Sequence, residues 1–214
     1  MTVNIIGKVK EALTGIFLIG GCVLLRPIFR PWYSKWGTTS TDLKRRLPGD
    51  EYISRLRGGY TQAIDISAPV GTVWPWIVQI GQDKAGFYSY ELLENMIGCN
   101  IHNANHILTE HQDIKVGDRL IMHPKAPIVP VVIVEPVVSL VYGGKQENTA
   151  NAWVFHLDKR EEVTHLISRW SFDYKPGLFN KVIYNWLIEP IASVMQRKML
   201  LEIKKLVETE QHQT

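Results

Sequence analysis

The stretch NKVIYNWLIEPIASVMQRKMLLEIKKLVE, residues 180–208, decides the fold. In it Ile183, Leu187, Ile191, Met195, Met199, Ile203 and Leu206 recur at steps of three and four, so they share one face of a long helix. Glu189-Pro190 marks a break or kink, because proline lacks an N–H and restrains the residue before it. A helix with one apolar face has to bury that face against another element. Working backward, Val163–Phe172 and Asn151–Leu157 read as the clearest strands, with the charged run at 158–162 as a hairpin loop. Arg119–His123, Val129–Glu135 and Val138–Tyr142 read as further strands, punctuated by Pro136 and Gly143-Gly144. Strands in uninterrupted succession form an antiparallel sheet. The concave side of that sheet is the place for the long helix, and a cavity is expected between the two.

Upstream, Thr61–Ile66 reads as a strand, stopped by Ser67-Ala68-Pro69. Pro69 opens a short helix through Trp74, which Pro75 kinks and Gln79-Ile80-Gly81 ends. A second short helix covers Tyr90–Met96, with Ser89 as its N-cap and Leu92, Leu93 and Met96 on one face. Residues 98–118 are polar, rich in His and Asn, and read as a long ordered loop. The order is therefore one strand, two short helices, about five strands and one long helix, an α+β arrangement. The folded body spans 60–210. Residues 31–59, broken by Pro31, Gly37, Pro48-Gly49 and Gly58-Gly59, read as a basic connector with little periodicity.

The first 30 residues differ from the rest. Ala12–Leu25 is an uncharged apolar run of fourteen residues, short of the about 20 that span a bilayer. Arg26 could snorkel and extend it to Phe29. Trp32, Tyr33 and Trp36 follow as an interfacial belt would, and Gly15, Gly20 and Gly21 suit a membrane helix. A membrane-associated segment is expected, with a helix docked on the body as the alternative. Five basic residues just after the run (Arg26, Arg30, Lys35, Lys44, Arg45) stand against two before it (Lys8, Lys10), which places the body on the cytoplasmic side.

Composition narrows the class. The 214 residues are 45% apolar and 21% charged, a globular balance rather than a disordered or fibrous one. Mean hydropathy is −0.06, which disfavours many membrane spans. Two cysteines, Cys22 and Cys99, form neither a disulfide framework nor a metal motif. Net charge is +3, but residues 1–60 carry ten Lys/Arg against four Asp/Glu, a net of +6, and the remainder a net of −3. The basic excess sits beside the apolar run and not on the folded body, which points to a membrane surface and not to nucleic acid.

No Gly-x-Ser-x-Gly elbow and no glycine-rich nucleotide loop after a strand is present. His102, His106, His111 and Asp113 lie in loop sequence, so their spacing does not make a metal site. His102 and Asn103 read as residues that shape the loop, or a pocket mouth, by hydrogen bonds. Glu91 and Glu94 sit on one short helix, as a solvated face by default or as an acid and base. Arg169 and His156 alternate with apolar neighbours and are expected to face outward. Trp74, Trp76, Phe87, Tyr88 and Tyr90 cluster at the short helices. Trp153, Phe155 and Leu157 share one strand face, and Leu166, Ser168 and Trp170 another. Such a set either fills a core or lines a pocket for a lipid or ring compound.

RPWYSKWG at 30–37, LPGDE at 47–51, VWPWIVQIGQDKAGFYSYELLEN at 73–95, IHNA at 101–104, VGD at 116–118 and PIASVMQRKML at 190–200 together resemble a bacterial-type subgroup of the SRPBCC superfamily. That superfamily includes START lipid-transfer domains, polyketide cyclase/dehydrases and pollen-allergen-like proteins. The resemblance covers about residues 32–207. It implies the helix-grip fold and a cavity for apolar or amphipathic molecules, while activities within it differ widely. The expected function is binding or transport of a hydrophobic small molecule or lipid by a membrane-tethered domain, with a cyclase/dehydratase-like enzyme as the alternative. Trp74, Phe87, Tyr88, Tyr90, Glu94, His102, Asn103, Trp153, Phe155 and Trp170 are the candidate ligand-binding residues. No cofactor, metal or nucleic-acid partner is expected, and the sequence carries no signal for an oligomeric state.

Overall fold

The structure, a computed structural model, describes residues 2–145 and 149–211. Its elements run α1 (Thr2–Leu24), α2 (Arg26–Tyr33), α3 (Ser40–Lys44), β1 (Gly58–Ile66), α4 (Val70–Val78), α5 (Glu91–Met96), β2 (Arg119–Leu120), β3 (Val129–Glu135), β4 (Ser139–Lys145), β5 (Ala150–Arg160), β6 (Val163–Asp173), α6 (Leu178–Val182) and α7 (Glu189–Gln211). Among the described residues the strands make one antiparallel sheet in the order β1-β6-β5-β4-β3-β2. The first strand closes against the last because β1 pairs β6, with Tyr60 opposite Trp170. The α7 helix packs across β1 and the concave face, which is the helix-grip arrangement.

Strand parity builds two cores. On the concave face Ile66, Tyr142, Trp153, Phe155 and Leu166 meet Trp76, Ile77, Tyr88 and the α7 residues Met199, Leu200, Ile203 and Val207. On the convex face Ala63, Val141, Ala152, Val154 and Ile167 meet Leu47. The connector therefore does more than link. Thr39 caps α3, its side chain accepting from the Asp42 N–H while Asp42 accepts from the Thr39 N–H. The segment 39–56 lies over the convex face.

That cover corrects two expectations. Arg169 and His156 do point to the convex side, but both are buried. Arg169 donates to the backbone carbonyls of Arg45 (3.0 Å) and Asp42 (2.7 Å), to Thr61 Oγ1 (3.1 Å) and to the Asp50 carboxylate (2.7 Å). His156 lies between Ser139 Oγ (2.6 Å) and the Arg45–Asp158 ion pair.

The break at Glu189-Pro190 is a π-helical turn over Ile183–Ile188 leading into α7. Pro190 supplies no N–H, and a widened turn absorbs the missing bond. The second expected strand is only two residues long, Arg119–Leu120.

The N-terminal helix lies along the body. Ala12, Gly15 and Cys22 form its buried stripe, against Tyr90, Leu93 and Val194. Small residues permit this approach: a Cβ on Gly15 would meet Leu93 Cδ1 at 2.9 Å and Tyr90 Cδ1 at 3.0 Å. Among the described residues no single helix is long and apolar enough to cross a membrane; Ile5–Leu24 and Arg26–Tyr33 qualify only as a pair, bent by 116°. The bend is fixed by Glu189. Its buried carboxylate accepts from Arg30 Nε (2.8 Å), the Tyr33 hydroxyl (3.1 Å), the Gly59 N–H (3.3 Å) and Arg26 Nη2 (3.4 Å).

Candidate functional site

Between α7, α5 and the concave strands lies an apolar cavity of about 320 Å³. That size stands at the lower end of the roughly 300–1,000 Å³ range of small-molecule sites. Phe87, Glu94, Trp153 and Trp170 of the sequence-based set line it. Tyr60, Ser89, Ile97, Cys99, Leu120, Met122, Val129, Asn151, Ile191, Ala192, Met195, Gln196 and Met199 complete the wall. Three methionines give the wall adaptable, polarisable surface. Ile97 and Met122 are exposed at the rim.

Each wall segment follows from local structure. β5 presents Trp153 inward, directly opposite Trp170 of β6. The helical spacing of α7 brings Ile191, Met195 and Met199 onto the same side. Phe87 arrives through a turn that needs its own support. Tyr88 adopts the left-handed conformation, φ 53°, unusual for an aromatic residue. Asn103 holds it there: Asn103 Oδ1 accepts from the Tyr88 N–H (2.8 Å), and Asn103 Nδ2 donates to the Ser89 carbonyl (3.3 Å). Gly86, at φ +78°, leaves no room for a Cβ, which would sit 2.3 Å from Asn103 Oδ1.

That turn separates neighbours that look equivalent in sequence. Phe87 enters the cavity, whereas the Tyr88 hydroxyl is bonded by Gln79 Nε2 (2.6 Å) inside the core. Tyr90 packs under α1 with Cys22 and Val194. Phe155 is wholly buried in the core and Trp74 packs at its margin. His102 is exposed, its Nδ1 standing 3.7 Å from the Glu91 carboxylate. Asn103 acts on the turn and does not reach the cavity. Six of the ten residues therefore lie outside the wall.

The polar groups of the wall are mostly committed. Trp153 Nε1 donates to Gln196 Oε1 (2.8 Å) and Ser168 Oγ (3.1 Å), Gln196 Nε2 donates to the Ser168 carbonyl (3.2 Å), and the Ser89 hydroxyl donates to the Met195 carbonyl (3.1 Å). Glu94 is the exception. It is 7% exposed, and its Oε2 has no hydrogen-bond partner. Burial, with the nearby Glu91 charge, pushes its carboxyl up to about 7. Among the described residues no Lys, Arg or His lines the cavity. The expectation of a solvated glutamate pair thus splits: Glu91 faces Lys8 (2.5 Å), and Glu94 turns inward.

Elsewhere, Ser139, His156 and Asp158 are chained in the order of a hydrolytic triad. Ser139 is wholly buried on the convex side, and Arg45 engages both His156 and Asp158. With no approach for a substrate, this chain braces the connector. Among the described residues no group of three or more His, Cys, Asp or Glu is placed to hold a metal.

Comparison with protein families and with curated proteins gives no match. Among solved structures, the chain is similar to a polyketide-cyclase-like protein from Corynebacterium glutamicum, at 15% identity over 74% of this chain and 95% of that one, TM-score 0.43. It is similar to a Bacillus halodurans protein at 14% identity over 70% and 96%, TM-score 0.45.

Proposed function

We propose that this protein holds a hydrophobic small molecule or lipid in the cavity between α7 and the sheet, and rests on a membrane through its N-terminal helices. The observation that carries the first part is the cavity itself, lined by aromatic and methionine side chains around one carboxyl. A neutral fluorescent hydrophobe such as phenyl-naphthylamine tests it. Saturable one-to-one binding that Ala192→Trp abolishes is expected; binding unaffected by that filled cavity would refute the site.

The membrane part rests on what α1 leaves outside. Ile5, Ile6, Leu13, Ile16, Phe17 and Leu24 are exposed on its outer side, and Ile28 is exposed on α2. Contiguous apolar surface of this kind marks a docking face. Lys10 is exposed on the same helix, and suits the anionic cytoplasmic leaflet. The helix then lies in the interface rather than spanning it. Co-sedimentation with anionic phospholipid vesicles is expected, and Phe17→Glu with Leu13→Glu should release the protein; unchanged partitioning would contradict this.

A second reading, an enzyme of the cyclase/dehydratase kind, is favoured by Glu94 alone. A carboxyl near 7 in an apolar cavity is suited to give and take protons at neutral pH. Glu94→Gln should then abolish turnover while hydrophobe binding persists.

A further inference from the structure

Glu94 also says what kind of molecule fits. We infer that the cavity selects an uncharged amphiphile with a carbonyl or hydroxyl oxygen at one end, bonded by the Glu94 carboxyl, and rejects anionic heads. The inference rests on the binding reading above and adds the ligand's polar chemistry to it.

Three observations combine. First, Oε2 of Glu94 is buried and has no partner within the protein, a costly state that a ligand group can relieve. Second, among the described residues the wall contains no Lys, Arg or His. A fatty-acid carboxylate or a phosphate would enter beside Glu94 with no counter-charge, and an unpaired buried anion is heavily penalised. Third, an ammonium head brings three donors. Gln196 Oε1 already accepts from Trp153, and pairing with the ammonium would require Glu94 to ionise, which burial opposes, so two charges would have to be desolvated together. A carbonyl oxygen needs one donor, and the protonated Glu94 supplies one. The titratable groups around Glu94 are Glu91 on its own helix, Cys99 from the following loop and Tyr60 from β1 across the cavity. None of these is a cation, so the neutral acid is the form the surroundings favour at and below neutral pH.

Four probes of matched length, methyl octyl ketone, decanol, decanoate and decylamine, separate the possibilities by isothermal titration calorimetry against the whole 214-residue chain. The ketone and alcohol are expected to bind, with decanoate weaker by about a hundredfold or more. Glu94→Leu should cost the ketone about tenfold, while Glu94→Gln, which keeps a donor, should largely restore it. Ketone affinity of the wild type should fall as pH rises through 7, and that of Glu94→Gln should not. Decylamine binding tightest and strengthening with pH would overturn the inference, as would decanoate matching the ketone. Equal binding of all four probes would overturn the head-group selection yet leave the hydrophobic cavity standing. Binding of none would end both.

Discussion

Glu94 carries the sharpest residue-scale prediction. Its carboxyl titrates near 7 in the folded protein against 4.5 when unperturbed. Below about 4.5 both states hold the proton and the fold loses nothing. Between the two values the unfolded chain ionises while the folded one does not, so stability falls as pH rises. Above 7 the full penalty, about 3 kcal/mol, is present. Glu94→Gln should therefore gain on the wild type in denaturant unfolding between about pH 5 and pH 8; parallel pH dependences would contradict the burial of this group. Arg169 is the opposite case. Arg169→Leu strands two backbone carbonyls on the convex face and removes the counter-charge of the part-exposed Asp50 carboxylate, and should destabilise by about 2–4 kcal/mol. A loss below about 1 kcal/mol would mean water replaces it. Glu94 was legible as a candidate ligand-binding residue, but its burial without a partner was not, and the role of Arg169 was not legible at all. Alternation told correctly that Arg169 leaves the concave face, but not that residues 39–56 return to cover it, since that contact joins positions more than a hundred apart. Likewise the aromatics 87–90 read as one cluster, and only the left-handed turn at Tyr88 sends Phe87 one way and its neighbours another.

At the scale of elements, the patterned segments were the readable ones. β3, β5 and β6 alternate or run apolar between turn residues, and α7 repeats at helical steps, so period alone located them. The wall contributed by Ile97, Cys99 and Met122 has no period to read, because those residues stand in loops placed by tertiary contacts. The α1 helix shows the limit of composition. Its run is apolar all round, yet one stripe is small and the other large, and only the small stripe is buried. Gly15→Leu should therefore lift α1 from Tyr90 and Leu93 and raise hydrogen exchange across α1, while β5 and β6 keep their protection. Equal exchange in α1 before and after would show that the helix does not depend on that contact. Glu189→Leu should free α2 in the same assay, since the Arg30 and Tyr33 bonds converge on that carboxylate.

For the whole molecule, the sheet grips α7 without filling the space between them, and the N-terminal helices clamp the outer side of the same α7. The cavity and the proposed membrane face thus share one helix: Val194 meets Cys22, while Ile191 and Met195 line the cavity. The central claim is that this space is occupied by a hydrophobe. The most direct test is native mass spectrometry of the whole 214-residue chain purified from its host cell, followed by solvent extraction. A stoichiometric, uncharged apolar molecule that is absent from Ala192→Trp is the result expected. An unliganded mass in both proteins, with no calorimetric binding of methyl octyl ketone or decanol, would contradict it.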